Sequence, residues 1–343
     1  MSWLRFLLLC SVVTLAVAGC SSGDSPEEDV QSSVATPERP ADGTGFVTPR
    51  TMPDGKGSDA PDGVFPRTVT HFGGTSTIEA PPEKVVVIST GQVDALLTLG
   101  IVPAGATKGE GAELVPAYLT AAFAGQEQAL TAVQDVGLRT DPNLEKIATL
   151  EPDLILVNTA GNKIDQLYPS LDAIAPTVVT QGTGLYWKQD FLLLGDAVGK
   201  REAAQQWLDQ YHADAADFGE TTPGDATVSL LRRNGDRTRV FGIASFSGSV
   251  AEDSGLARPA SQVFTDRTSQ DLSDEELIAA DGGWIFYGVQ AQSDAALTSM
   301  PLWPSLSAVQ SGHVTRVDDD AFYLNVGPTA AREILEKFQE VLK

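Results

Sequence analysis

The chain has 343 residues and a formal charge of −23, which gives enough length for two α/β lobes and argues against nucleic acid as a partner. Its two cysteines are too few to predict a disulfide framework or a thiolate metal site. The sequence has no P-loop lysine motif, no paired histidines at zinc spacing and no Gly-x-Ser-x-Gly nucleophile elbow. We therefore predict neither a cofactor nor an enzymatic activity.

The amino terminus predicts export. Arg5 precedes an apolar run over 6–18 that is short for a membrane span, and the run leads into the letters VAGC, which end at Cys20. These letters resemble the lipobox of bacterial lipoproteins, in which the cysteine receives diacylglycerol. The resemblance implies a signal peptide over 1–19 and a lipid anchor at Cys20 on the outer face of the cytoplasmic membrane. The alternative is ordinary signal cleavage, with Cys20 as a bystander.

Residues 20–63 predict a disordered tether. They are poor in large apolar side chains, rich in Pro, Gly, Ser, Asp and Glu, and show no periodicity. A folded body is then predicted to begin at residue 64.

Residues 64–184 predict an amino-terminal α/β lobe. The β-branched run Val85–Ile88 is typical of a parallel strand covered on both faces, and a helix over 92–99 follows it. Ligands of open α/β sheets bind at the carboxyl ends of strands. Thr90 and Lys108, each just after a predicted strand, are therefore candidate ligand residues. The other predicted strands are 69–72, 76–78, 102–106, 134–137, 154–157 and 177–180, and the other predicted helices are 143–150 and 163–174.

Residues 185–221 predict a helical hinge. Apolar side chains at helical spacing from Trp187 to Val198 indicate a short helix, and a second helix of about 19 residues follows a break near Gly199. A single stiff crossing between two lobes limits how far they can separate. The alternative is an ordinary crossover helix within one larger α/β domain.

Residues 222–343 predict the carboxyl-terminal lobe. Arg232 and Arg233 directly follow a predicted buried strand, so one of the two should face a cleft. Ser273 and Glu276 have capping-box spacing at the start of a helix over 273–279. The other predicted strands are 227–231, 240–242, 284–287 and 314–317, and the other predicted helices are 249–255, 303–309 and 328–343.

Several ordered segments resemble the helix-hinged substrate-binding proteins of ABC importers, in the branch that includes ferric-siderophore, heme and vitamin B12 binders. The segments are EKVVVISTGQVDALLTLGIVPAGAT, VGLRTDPNLEKIATLEPDLILVNT, WKQDFLLLGDAVGKREAAQQWLDQY, GLARPASQ and VDDDAFYLNVGPTAAREILEKF. The resemblance covers almost everything from residue 64 onward. It implies two Rossmann-like lobes joined by a long α-helix, and a monomeric, lipid-anchored receptor that delivers its ligand to ABC permease subunits.

The resemblance also implies particular residues. One glutamate on each lobe of the family meets arginine pockets of the permease, and Glu145 and Glu275 fall at the matching places. A ferric siderophore is the expected ligand, because it carries negative charge that Arg232 or Arg233 could bind. Heme is the alternative ligand. A cell-envelope scaffold that keeps the fold, and a secreted hydrolase, are alternatives of other classes.

Aromatic side chains are predicted to wall the cleft, because flat chelates and porphyrins need apolar stacking faces. The candidates are Tyr186, Tyr287, Trp303, Phe322 and Tyr323. The family commonly has tryptophan where this chain has Phe322, which implies a pocket of different shape.

Overall fold

The computed structural model describes residues 46–111, 113–161, 163–222, 226–290 and 293–342. The predicted signal peptide, Cys20 and residues 20–45 of the predicted tether lie outside these ranges. Within them, every helix is too short or too polar to traverse a bilayer.

The amino-terminal lobe is built on a six-stranded sheet preceded by the antiparallel hairpin of β1 (Arg67–His71) and β2 (Gly74–Ile78). The sheet order is β6-β5-β4-β3-β7-β8, and only the β5–β6 pair is antiparallel. The strands are β3 (Val85–Ile88), β4 (Gly105–Lys108), β5 (Gln134–Leu138), β6 (Asp141–Pro142), β7 (Leu154–Asn158) and β8 (Thr177–Thr180). The helices are α1 (Gln92–Thr98), α2 (Ala117–Ala122), α3 (Glu127–Ala132), α4 (Leu144–Thr149) and α5 (Ile164–Asp172).

The carboxyl-terminal lobe has a five-stranded sheet in the order β11-β10-β9-β12-β13. The β9–β12 and β12–β13 pairs are parallel, whereas β10 pairs antiparallel with β9 and β11. The strands are β9 (Val228–Asn234), β10 (Arg237–Phe241), β11 (Ser269–Leu272), β12 (Trp284–Val289) and β13 (Val314–Arg316). The helices are α8 (Phe246–Asp253), α9 (Ala295–Thr298), α10 (Ser307–Gln310) and α11 (Pro328–Val341), with short 3₁₀ helices at 260–262, 274–280 and 303–305.

Two helices form the hinge between the sheets. The first, α6 (Trp187–Ala197), is buried along its whole length, and the second, α7 (Arg201–Thr221), is a 21-residue crossing between the lobes. Gly199 adopts φ +72 between them, a left-handed conformation that favours glycine. The predicted break and the predicted long helix are therefore both confirmed. The buried stripe of α7 runs through Ala204, Leu208, Tyr211, Ala215 and Phe218. The apolar spacing in the sequence predicts Ala203 and Trp207 for its first two positions, so the stripe begins one residue later than predicted.

A single hydrophobic cluster joins the two lobes through the hinge. It includes Val87 of β3, Phe191 of α6, Leu208 of α7, Leu230 of β9 and Ile334 of α11, all 1 % exposed or less. Separating the lobes would expose part of this cluster to water, and such exposure is unfavourable in proportion to the apolar area uncovered.

The lobes also meet through a buried carboxylate. Asp94 of α1 accepts hydrogen bonds from the backbone N–H groups of Thr329 (2.8 Å) and Ala330 (3.0 Å), in the first turn of α11, and from the Tyr118 hydroxyl (3.1 Å). Nearby, Gly91 has φ +87, and a Cβ on it would lie 1.8 Å from the Val326 carbonyl oxygen. The turn after β3 therefore approaches the other lobe too closely for any side chain.

The segment 46–63 differs from the predicted tether, because its polar groups bond to the folded body. The Thr48 hydroxyl donates to Glu252 Oε2 at 2.8 Å, and Ser58 N donates to Asp196 Oδ2 at 2.6 Å. The guanidinium of Arg67, itself fully buried, donates to the carbonyls of Pro61 and Val64. Residues 46–63 have a composition typical of disorder, but their polar groups find hydrogen-bonding partners on the folded body.

Other predicted elements shift or split. The strand predicted at 102–106 is β4, displaced toward its carboxyl end, and the helix predicted at 249–255 begins three residues earlier, where the Ser245 hydroxyl caps Gly248 N. The capping box of Ser273 and Glu276 is confirmed, but the helix that follows is a 3₁₀ helix. The sequence did not predict α2, α3, α9, β6 or β11, which are all six residues or shorter and show little periodicity.

Candidate functional site

The candidate site lies between the lobes, at the carboxyl end of β3. Thr90 follows β3 and lines three neighbouring hollows of this cleft. Residues from the carboxyl-terminal lobe close the other side of each hollow, including Asp320, Val326 and Tyr323. The cleft therefore sits at the edge where α/β sheets bind their ligands.

Three arginines line one hollow of the cleft. Arg139 comes from the β5–β6 turn of the amino-terminal lobe, and Arg232 and Arg239 come from β9 and β10 of the other lobe. The hollow has a volume of about 190 Å³ and is partly open to solvent. A cationic hollow in a chain of net charge −23 is specific enough to indicate an anionic ligand.

Strand register explains which arginines meet. In the antiparallel β9–β10 pair, Arg232 lies opposite Arg239, and Arg233 lies opposite Thr238. Because directly opposite residues project from the same face, Arg232 and Arg239 share the cleft face. Arg233 points to the other face, where it donates to the Thr238 hydroxyl at 2.5 Å. The structure thus brings Arg232, and not Arg233, to the cleft.

The three guanidinium groups differ in how far their charge is neutralised. Arg232 is 1 % exposed and is paired with Asp319, and its Nη2 donates to Gln290 Oε1 at 2.6 Å. Among the described residues, no carboxylate forms an ion pair with Arg139 or Arg239, and Arg239 Nε is buried without a hydrogen-bond acceptor. Burial, together with the neighbouring cations Arg232 and Arg237, lowers the pKa of Arg239. Two cations are therefore available to an incoming anion.

The predicted site residues of the first lobe are partly brought together. Thr90 lines all three hollows, as described above. Lys108 lies at the end of β4, but its Nζ forms a partly exposed ion pair with Asp135 at 3.3 Å. Tyr186, half-buried, ends a short 3₁₀ helix that leads into α6.

The predicted aromatics mostly pack in the core. Tyr323 lines the arginine hollow, with its ring 4.8 Å from that of Phe241 and its hydroxyl donating to the Phe286 carbonyl. Phe322 is 1 % exposed and packs in the hydrophobic cluster that joins the lobes. Tyr287 and Trp303 contact each other edge to face inside a separate cluster of the carboxyl-terminal lobe. The structure differs here from the prediction, because adjacent strand residues alternate between faces and Tyr287 projects away from the lobe interface.

Glu145 and Glu275 lie on opposite lobes, and both are exposed. Glu145 is in the first turn of α4, and Glu275 is in the first turn of the 3₁₀ helix after β11. Both carboxylates are therefore accessible from solvent.

The three histidines are placed apart. His71 hydrogen-bonds Ser76 within the β1–β2 hairpin, His212 lies beside Asp253, and His313 stacks on Trp284. Nowhere in the part of the chain that the structure describes do three or more His, Cys, Asp or Glu side chains gather as a metal-binding group.

Sequence reasoning missed Arg139 and Arg239. Arg139 follows β5, so it stands at the carboxyl end of a parallel strand, as Thr90 does, and this position was an available signal. Arg239 lies in β10, between β11 and β9, and its position opposite Arg232 indicates that it shares the cleft face. This position could not be predicted from the sequence without knowing the register of β9 and β10.

Two α/β lobes, one crossing helix and a cation-lined cleft between the carboxyl edges of the sheets define a two-lobed solute-binding protein. The chain belongs to the periplasmic binding protein family, whose sequence model matches residues 85–321. It is 33% identical over 294 residues to the probable siderophore-binding lipoprotein YfiY of Bacillus subtilis, covering 80% of this chain and 86% of the relative. It is 26% identical to the Fe(3+) dicitrate-binding periplasmic protein FecB of Escherichia coli, covering 79% and 88% of the two chains.

A solved structure agrees with this family membership. Staphylococcus aureus SirA, crystallised with staphyloferrin B, superimposes with a TM-score of 0.68 at 26% identity, covering 80% of this chain and 98% of that chain. The helix-hinged, two-lobed α/β fold predicted from the sequence is thereby confirmed.

Proposed function

We propose that this protein is a receptor for an anionic ferric siderophore, which it passes to an ABC importer. The observation that supports this most directly is the convergence of Arg139, Arg232 and Arg239 on one hollow between the lobes. Forked guanidinium donors match the carboxylate oxygens of citrate-like chelates. The relatives YfiY and FecB, whose names refer to a siderophore and to Fe(3+) dicitrate, support the same ligand class.

Heme is the less favoured ligand. A porphyrin needs two broad apolar faces, and the predicted aromatics Tyr287, Trp303 and Phe322 are buried in the core. The walls of the arginine hollow are instead mainly polar, with Thr90, Thr268 and Ser269 beside the cations. No chemical step is part of the proposed function, because the protein binds and releases its cargo unchanged.

Ligand capture involves a small closure of the lobes. The shared hydrophobic cluster and the Asp94 contact to α11 oppose a wide opening. The mouth of the cleft is spanned by the Gln290 side chain, whose Nε2 donates to the Glu110 carbonyl across the lobes at 3.0 Å. This single exposed contact can break and reform at little free-energy cost.

Titration of the purified full-length chain tests the ligand class. We expect saturable binding of ferric dicitrate by calorimetry, and binding at least about tenfold weaker for a neutral ferric trihydroxamate, which cannot use charge-assisted hydrogen bonds to the arginines. Hemin should bind weakly or without saturation. Tight hemin binding together with no binding of ferric dicitrate would overturn the proposal.

The proposal includes delivery to permease subunits through Glu145 and Glu275. Replacing either glutamate with lysine should abolish uptake of the ferric chelate by cells while the affinity of the purified protein stays unchanged. Loss of ligand binding in either variant would contradict this assignment.

The proposal also includes a lipid anchor at Cys20 and action as a monomer at the outer face of the cytoplasmic membrane. Two acyl chains suffice for stable anchoring. We expect Cys20→Ala to move the protein from the membrane fraction to the soluble fraction without loss of ligand binding. Retention of the variant in the membrane fraction would argue against the anchor.

A further inference from the structure

A small polar cavity adjoins the arginine hollow on its amino-terminal-lobe side. The two hollows share Thr90, Glu110 and Leu324, so a ligand that occupies one borders the other. The cavity has a volume of about 20 Å³. That is room for one water-sized group, such as a water molecule or an ammonium group.

Three oxygen atoms of this cavity lack partners within the described chain. The Ser89 and Thr107 hydroxyls are buried at 3 % and 5 % exposure, and neither oxygen forms a hydrogen bond. Asp320 Oδ1 is also buried without a hydrogen-bond partner. Buried polar atoms in native proteins are rarely left unsatisfied, so these three oxygens indicate a bound group.

Ser89 and Thr107 come from adjacent parallel strand ends, and Asp320 comes from the opposite lobe. Ser89 follows β3, Thr107 lies in β4, and these strands are hydrogen-bonded neighbours. Asp320 begins the one-turn π-helix that precedes α11. A group that hydrogen-bonds to all three oxygens would therefore contact both lobes at once.

The electrostatics of the cavity favour a cation. The described residues that line it include Asp320, Glu110 and Glu113 but no lysine, arginine or histidine. The fourth acid, Asp94, is already occupied by the three donors described above. Burial and the nearby carboxylates Asp318 and Asp319 raise the pKa of Asp320, so a cation placed beside it would relieve repulsion among these carboxylates.

We propose that this cavity binds a protonated primary amine carried by the ferric chelate. The inference rests on the proposed function and narrows it, because it makes the ligand a chelate with an anionic iron centre and a cationic arm. An ammonium group can donate one hydrogen bond to each of the three unpartnered oxygens, and it also carries the positive charge that the acidic lining favours, whereas a water molecule carries none. The arginine hollow binds the anionic centre, and the amine extends past Thr90 into the cavity.

Two matched probes test the inference on the full-length protein. The first is the ferric complex of a citrate monoamide of 1,2-diaminoethane, which has a free amine. The second is the same complex with that amine acetylated, which removes the positive charge and leaves the iron centre unchanged. We expect calorimetry to give an affinity for the free amine about tenfold to a hundredfold higher, the usual range for a charge-assisted hydrogen bond.

Variants then locate the effect. Asp320→Asn should reduce the preference for the free amine to near unity while leaving the affinity for ferric dicitrate within about threefold, since that ligand has no amine. The matched control is Asp318→Asn, which removes an equal charge two residues away. Its Oδ1 caps Ala321 N, a role that asparagine also fills, and its carboxylate does not line the cavity, so this control should lose much less of the preference than Asp320→Asn does. Ser89→Ala removes an uncharged acceptor and should give a smaller loss in the same direction.

Each outcome decides the inference. Equal affinity of the wild-type protein for the two probes, with ferric dicitrate still bound, would overturn the inference and leave the proposed function in place. The inference would also be overturned if both Asp320→Asn and Ser89→Ala kept the higher affinity for the free-amine probe, because the amine would then bind elsewhere. Failure of all three ferric chelates to bind would remove the proposed function and the inference with it.

Discussion

Arg232 and Asp319 form a forked ion pair in which Nε and Nη2 of the arginine each lie 2.9 Å from a different carboxylate oxygen. This pairing fixes the plane of the guanidinium and leaves Nη1 toward the cleft, 3.8 Å from Glu110 Oε2. An anionic ligand of the proposed class would thus meet an oriented donor whose positive charge is partly balanced by Asp319. Asp319 positions the arginine and at the same time moderates its attraction for anions.

The first prediction follows from this arrangement. Arg232→Ala removes a charge-assisted hydrogen bond and leaves Asp319 unpaired near the anion, so the affinity for ferric dicitrate should fall about tenfold to a hundredfold. Arg233→Ala is the matched control, because Arg233 projects from the opposite face of β9 and should change the affinity less than about threefold. Calorimetric titration of both variants provides the measurement. Equal affinities for the wild-type protein and both variants would contradict the role of the arginine hollow.

The second prediction concerns the contact between the lobes. Gly91→Ala places a Cβ against the Val326 carbonyl in addition to straining a residue at positive φ, so the lobes must shift apart. The matched control is Gly63→Ala, whose φ is +71 but whose Cβ meets nothing within 4 Å. The control should lose only about 1–2 kcal/mol of unfolding free energy, which is the cost for a residue with a side chain to adopt the left-handed conformation. Urea denaturation should show a larger loss for Gly91→Ala, and equal losses would argue against a close interlobe contact.

The third prediction concerns a buried ion pair. Lys188 Nζ lies 2.6 Å from Asp253 Oδ1, and both side chains are fully buried. Lys188→Met leaves Asp253 with Arg50, at 2.9 Å, as its closest remaining cation. Removal of one member of a buried pair typically lowers stability by about 3–5 kcal/mol, and we expect a loss near the lower end because Arg50 remains. Lys337→Met breaks the exposed pair with Glu340 and should lower it by about 1 kcal/mol or less. Urea denaturation of the two variants measures both losses of unfolding free energy. Similar losses would contradict the expectation that the buried ion pair contributes more to stability than the exposed one.

The fourth prediction concerns pH. His71 Nδ1 accepts the Gly73 N–H, so its Nε2–H donates to the Ser76 hydroxyl, and protonation of Nδ1 would break the first bond. Burial, aided by Lys56, lowers the pKa of His71 to about 4. Because the unfolded chain binds a proton near pH 6.5 and the folded chain does not, this residue makes stability fall as pH drops from about 6.5 to 4.

The measurement is the unfolding free energy of the wild-type protein and of His71→Gln across that pH range. The difference in unfolding free energy between the wild-type protein and the variant reports on His71 alone. Burial also lowers the pKa of His212 to about 4, but His212 is present in both proteins. The acids with raised pKa, such as Asp190, are common as well and act in the opposite direction. We expect the wild-type protein to lose stability relative to the variant on acidification, and a constant difference would refute the assignment.

The sequence predicted the elements whose signal is local. The β-branched run Val85–Ile88, the capping box at Ser273 and the break at Gly199 each depend on near neighbours in the chain, and each is found in the structure. The long helix α7 was the strongest of these local signals, although its buried stripe begins one residue later than predicted. The two-lobed, helix-hinged fold was instead predicted from the resemblance of several ordered segments to one family, because periodicity alone left a single larger α/β domain open.

The site was harder to predict, because it depends on contacts distant in sequence. Alternation along a strand indicated that one of Arg232 and Arg233 faces the cleft, but the choice depends on the β9–β10 register. The burial of Tyr287 and Trp303 likewise depends on which face of the sheet is covered by other elements. Composition was misleading for 46–63, since its polar groups are satisfied by Glu252 and Asp196, which follow about 140 to 200 residues later.

Arg50 and Thr48 attach the start of the described chain to Glu252 and Asp253 of α8, on the carboxyl-terminal lobe. A mechanical load applied through the amino-terminal chain would therefore reach this cluster before it reached the hairpin or the first sheet. The cluster also includes Lys188 of α6, so the force would pass into the buried first helix of the hinge. The amino-terminal sheet, whose β3 precedes Thr90 in the cleft, would not lie on this path.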